Sequence, residues 1–129
     1  MKINNEELNQ LVDGLDVLLS KIRETSQLNL PAKVSYFINK NYITMKNAVK
    51  PYLQTKDMLI KKYGELNEET KKIEIDTSNV DITTKFFEEL KPLLIMDINV
   101  DIQKIKFDEL GLGTIPQWFW DYAMFMIED

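Results

Sequence analysis

Carboxylates carry most of the chemistry this chain can offer, because it contains neither histidine nor cysteine. That removes the Ser-His and Cys-His nucleophile systems, the commonest general base, the commonest transition-metal ligand and every disulfide or thiolate site. Asp97, Asn99 and Asp101 stand at alternate positions, the spacing with which an EF-hand loop begins to ligate calcium. The loop fails further along. Its sixth position is Ile102, where glycine must turn the chain, and its twelfth is Asp108, where a bidentate Glu closes the site. The alternation reads instead as the solvent face of a strand. Glu88 and Glu89 are neighbours on a helix and point about 100° apart, so they cannot face each other as an acid/base pair. Glu74 and Asp76 on one strand candidate, with Lys104 or Lys106 on another, form the one set from which a metal-dependent nuclease centre could be assembled, and no spacing in it is diagnostic. The glycines at 14, 64, 111 and 113 build no phosphate loop. The reading is a non-enzymatic protein with no catalytic residue, no cofactor and no metal site.

Two segments have the chemistry of binding. Lys40, Lys46, Lys50 and Lys61 lie opposite the apolar stripe of a long helix, with Tyr36, Ile43 and Met58 among them. This is either a solvated face balanced by acidic residues elsewhere in the chain, or a surface for an acidic partner. Arg23 is the one arginine, and arginine supplies the bidentate contacts of nucleic-acid readout, so no specific nucleic-acid partner is expected. From Ile115 to Ile127 only Gln117 and Asp121 are polar inside a helical pattern. Phe119, Tyr122, Ala123 and Met126 turn to the core side, while Trp120 and Met124 flank the polar stripe, and Trp118 completes a Trp-Phe-Trp cluster. Such a helix is wedged between elements or offered to a partner, which is another copy or a different protein. The candidate partner-binding residues are therefore Trp118, Trp120, Met124, Tyr36, Lys40, Ile43 and Lys50.

These residues sit in a chain of 129 residues with 44% hydrophobic content, one domain's length and enough apolar side chain for a core. The net charge of -5 is unevenly distributed. Residues 31–64 hold seven lysines against Asp57, whereas residues 65–129 hold six lysines against fifteen acids. The polar Met1–Glu7 stretch does not resemble a signal peptide, and no run approaches ~20 apolar residues, so the expected location is cytoplasmic, without a membrane partner.

The elements that must position the candidates follow from periodicity. Asn4, with Glu7 three residues on, predicts a capped helix over 5–24, carrying Leu8, Leu11, Val12, Leu15, Leu18, Leu19 and Ile22 on one stripe. Pro31 opens a second helix that runs to Tyr63 and stops at Gly64, with a kink at Pro51. The short connector over 25–30 makes the two helices antiparallel neighbours. Ile73–Ile75 and the Ile98, Val100, Ile102 alternation read as strands that pair with each other, and Ile105 and Phe107 are displaced from the second by a bulge or bend near Gln103. Thr83 or Thr84 caps a third helix holding Phe86, Phe87, Leu90, Leu93 and Leu94, with Pro92 in or just after its last turns. Gly111-Leu112-Gly113 forms a turn. Thr114 caps a final helix that reaches Ile127, with Pro116 in its first turn and Gln117 at the box position. The fold class is α+β, in one domain: a helical hairpin over 1–64 and an α+β half over 65–129.

Leu30-Pro31-Ala32-Lys33-Val34, the helix end Lys61-Lys62-Tyr63-Gly64-Glu65, the Val100-Asp101-Ile102 strand and the closing Phe125-Met126-Ile127-Glu128 occur in an order that resembles a family of small uncharacterised phage and prophage proteins of Gram-positive bacteria. The likeness spans residues 29–128, and the Trp118-Phe119-Trp120 cluster is heavier in aromatics than that pattern. The resemblance implies a phage setting and brings no activity or functional residues with it. It leaves two expectations: an accessory protein that binds a host protein and inhibits or redirects it, or a structural or assembly component that binds a phage protein or itself.

Overall fold

Asn4 ends a short strand, β1 (Lys2–Asn4), and caps the helix that follows, α1 (Asn5–Glu24). Its side chain accepts from the Glu7 backbone N–H at 2.8 Å and donates to the Glu7 carboxylate at 3.2 Å, a reciprocal box that satisfies one orphan donor of the first turn. The structure is a computed structural model that describes residues 1–25, 28–111 and 113–129. The connector read over 25–30 and the Gly111-Leu112-Gly113 turn fall partly outside these residues.

The second helix, α2 (Ala32–Tyr63), starts one residue after Pro31 and runs through Pro51 without interruption; at ~1.5 Å per residue it is about 48 Å long. Pro51 is exposed, so the Asn47 carbonyl that lacks its usual donor lies on the water side. Gly64 ends the helix, its N–H donating to Ile60 O at 2.7 Å. α1 and α2 are antiparallel: Tyr42 donates to Asp16 near mid-helix, and Asn5 lies beside Tyr52. Leu8, Leu15 and Leu18 of α1 and Val34, Ile38, Met45 and Val49 of α2 are completely buried against each other's layer. Each such side chain contributes roughly 1.5–3 kcal/mol by leaving water. Residues 59–63 extend beyond the reach of α1. They pack instead on the third helix, α3 (Val80–Leu94), and on a hairpin of β2 (Glu65–Asn67) and β3 (Lys72–Glu74).

The strands differ from the sequence expectation. Ile73 pairs with Leu66 inside the β2–β3 hairpin, not with the later strand. That strand, β4 (Asp97–Asn99), pairs antiparallel with β1, Ile98 opposite Ile3, and the ladder is extended by Val100 N–H to Met1 O at 2.8 Å. The local pattern identifies a strand but not its partner, and the polar Met1–Glu7 stretch hides the three residues that supply it. Val100 and Ile102 lie beyond the end of β4. The next strand, β5 (Ile105–Lys106), leads into a 3-10 turn at Phe107–Leu110.

Helix boundaries also differ in three places. Asn79, not Thr83 or Thr84, caps α3: its side chain accepts from Ile82 N–H at 3.2 Å, and Thr83 instead donates to Asp76 O. The fourth helix, α4, spans only Gln117–Ala123, with Pro116 rather than Thr114 at the cap position and no side-chain cap. It tightens into a 3-10 turn at Met124–Met126 and gives way to β6 (Ile127–Glu128), which pairs parallel with β5. The apolar run to Ile127 therefore serves a helix and then a strand, and periodicity cannot separate the two. Phe87 of α3 is 52% exposed and edge-on to Phe86, which with Leu90 faces inward.

Two buried asparagines fasten these pieces. Asn5 donates to Leu93 O at 2.8 Å, satisfying a carbonyl at the end of α3. Asn41, on the inner face of α2, accepts from Gln103 N–H at 2.7 Å and donates to Gln103 O at 2.8 Å. Residues 101–104 belong to no strand, and Asn41 gives Gln103 the two hydrogen bonds a neighbouring strand would. This is the bend that shifts the alternation between Ile102 and Ile105. No described helix is long and apolar enough to cross a membrane.

Replacing Asn41 with Leu keeps the bulk but orphans both Gln103 groups, and should destabilise the protein by about 2–4 kcal/mol in urea unfolding. Asn39→Ala, at an exposed site two residues away, should stay within about 0.5 kcal/mol of wild type. A second expectation concerns the junction of α2 with α3. Hydrogen bonds from Tyr63 and Lys62 hold the Glu89 carboxyl below its ordinary value of 4.5. A depressed carboxyl stabilises fully above its ordinary value and loses that contribution as pH falls through its folded value. The stability difference between wild type and Glu89→Gln should thus be constant above about pH 5 and shrink below about pH 4.5.

Candidate protein-interaction surface

Helical geometry that turns Val34, Ile38, Asn41, Met45 and Val49 inward must turn a second set outward. Tyr36, Lys40, Ile43, Asn47, Lys50 and Gln54 recur at three and four on that opposite side, and all are exposed. Met58 and Lys61 continue the strip, so it runs roughly 38 Å along the helix. Tyr36 is 63% exposed, Ile43 60% and Met58 68%. Tyr36, Lys40 and Ile43, predicted as partner-binding residues, come together with Asn39 and Thr44 around a shallow groove. Lys50 lies two turns further along the same strip.

The balance of charge on α2 is only partly internal. Lys33 pairs with Glu109 at 3.1 Å and Lys62 with Glu89 at 3.1 Å, both carboxylates from the acidic half. Lys33 holds the Glu109 carboxyl below its ordinary value. Lys61 bridges to Asp57 on its own helix at 3.0 Å. Between these ends, no carboxylate among the described residues lies within salt-bridge distance of Lys40 or Lys50.

The aromatic C-terminal residues are distributed differently. Phe119 and Met126 are completely buried and Tyr122 is half-buried, as their angular positions require. Trp120 is covered more than its place beside the polar stripe suggests. It stacks on Phe107 at 5.8 Å with 16° between the ring planes and meets Phe119 edge-on. Phe107 comes from another element, so no local pattern could announce that cover. Trp118 is also half-buried, with Lys21 of α1 over its ring at 5.8 Å. Met124 is 64% exposed. It borders a groove of about 460 Å³ between α1 and α4, whose wall includes Ile3, Leu11, Tyr122 and Phe125. Glu7, Gln10 and Asp121 contribute its polar atoms. Gly14 makes this contact possible: a Cβ there would meet the Tyr122 ring at 3.2 Å, tighter than ordinary packing. In the sequence Gly14 reads only as a weak point of α1.

The nuclease-like set is not brought together. Glu74 and Asp76 lie in and after the β2–β3 hairpin, where Asn67 and Thr70 donate to Glu74. Lys104 donates to Phe125 O at 2.7 Å beside the β5–β6 pair. Among the described residues no group of three carboxylates is placed to hold a metal ion.

The three C-terminal side chains should separate in thermal and urea melts. Phe119→Ala should cost about 3–5 kcal/mol. Trp120→Ser should cost less but measurably, because the Phe107 stack is lost. Met124→Ser should stay within about 0.5 kcal/mol of wild type. Comparison with protein-family models, with curated proteins and with solved structures gives no match, so the outer strip of α2 and the α1–α4 groove stand as candidates on their geometry alone.

Proposed function

We propose that the protein is a non-enzymatic binding protein whose working surface is the outer strip of α2, and that it serves a phage as an accessory factor by occupying a host protein. The observation that carries this reading is the exposure of Tyr36 and Ile43 beside Lys40 and Lys50, two lysines without a carboxylate partner among the described residues. Apolar side chains left in water on an already satisfied helix add nothing to the fold. Covered by a partner they form an interface centre, and the flanking ammonium groups orient an acidic counterpart. The scarcity of arginine and the net charge of -5 favour a protein over a phosphate backbone. The phage setting, the host cytoplasm and the inhibitory role rest on the sequence resemblance.

A second reading, an assembly component that binds its own kind, draws on the acidic character of the α1–α4 groove. The first is tested by affinity capture from a lysate of a Gram-positive host, comparing wild type with Tyr36→Ser/Ile43→Ser. A single species held by wild type and lost by the variant, with both proteins equally stable, is the expected result. Equal capture by both would overturn the assignment to α2. Turnover of DNA, RNA or nucleotides that is lost in Glu74→Ala would overturn the non-enzymatic reading.

A further inference from the structure

The α1–α4 groove and the outer strip of α2 carry opposite charge on surfaces that do not meet. α1 holds Glu6, Glu7, Asp13, Asp16 and Glu24, and none of them is ion-paired among the described residues. α2 holds seven lysines against Asp57. The exposed strip of α2 points away from its core-facing residues, and the α1–α4 groove lies across α1, so one molecule cannot close its own strip onto its own groove. The groove offers apolar wall residues, Leu11, Tyr122 and Phe125, with Glu7 and Asp121 among them. The strip offers Tyr36 and Ile43 with Lys40 and Lys50. Apolar centres match and charges are opposite.

From this complementarity we infer that a second copy of the chain is a ligand of the first: the α2 strip of one molecule docks in the α1–α4 groove of the next. The inference rests on the reading of the strip as a binding surface and adds the identity of one occupant. Strip against strip would set Lys40 and Lys50 against like charges, and groove against groove would oppose Glu7 and Asp121 to themselves. Both symmetric pairings through one patch are therefore disfavoured relative to strip on groove. Two different patches per molecule allow either a reciprocal dimer or head-to-tail growth. Because the charges are exposed, the contact is weak and sensitive to salt.

The test uses three proteins in light scattering and sedimentation across concentration: wild type, a strip variant (Lys40→Glu/Lys50→Glu) and a groove variant (Gln10→Lys/Asp121→Lys). All four substituted side chains are exposed, and thermal melts confirm folding. Wild type should associate, with an association constant falling about tenfold between ~50 and ~500 mM salt. Each variant alone should be monomeric, and mixing the two should restore association, since the reversed strip then meets the reversed groove. Wild type that stays monomeric to its solubility limit, a groove variant that associates like wild type, or a mixture that stays monomeric would each overturn the inference. Loss of a captured host protein in Tyr36→Ser/Ile43→Ser is independent of these outcomes, so the α2 surface can stand where self-association fails.

Discussion

The two hydrogen bonds between the Asn41 side chain and the Gln103 backbone are the constraint around which the two halves of the molecule are arranged. Asn41 is 1% exposed and lies on the face of α2 that otherwise packs Val34, Ile38, Met45 and Val49. An amide in that position is tolerable only when its donor and acceptor are both used, and the Gln103 peptide groups use them. The pairing fixes which face of α2 is inside. It also fixes where the chain crosses from β4 toward β5, and hence where β6 and α4 come to lie. Once the inner face is committed in this way, the outer strip is left to water or to a partner.

The helical hairpin was legible because its determinants are local. The Asn4–Glu7 box, the heptad-like stripe of α1 and the Gly64 stop each need only neighbours in sequence, and each lies where its pattern places it. The convergence of Tyr36, Lys40 and Ile43 was legible for the same reason, since spacing along one helix fixes direction. The strands are two or three residues long, too short for alternation to define a register, and outside the β2–β3 hairpin their partners lie far away in the chain. Asn79 wins the cap of α3 because the preceding Asp76–Ser78 turn delivers it there, a local competition that composition alone does not rank. The half-burial of Trp120 was not legible because Phe107, from outside its helix, supplies the cover. Asn41 was visible only as a gap in an apolar stripe, and a gap does not say what fills it.

Gly14 and Asn5 show how polar or small residues in α1 serve other elements. Gly14 admits the Tyr122 ring and so brings α4 against α1, which creates the groove that Met124 borders. Asn5 reaches across to the last turn of α3. α1 thus receives the aromatic helix and one end of α3, whose larger contact is with α2.

The pairing of β1 with β4 has a consequence for the order of events during synthesis. Ile3 is made 95 positions before its register partner Ile98. The α1–α2 hairpin can collapse on nearby contacts while the ribosome is still working, but β1 must wait unpaired until β4 has been made. Closing such distant contacts is the slow part of folding for a protein otherwise rich in local ones. Until β4 is made, the nascent molecule holds a formed helical hairpin with an open strand edge before α1, the state in which it is most exposed to mispairing.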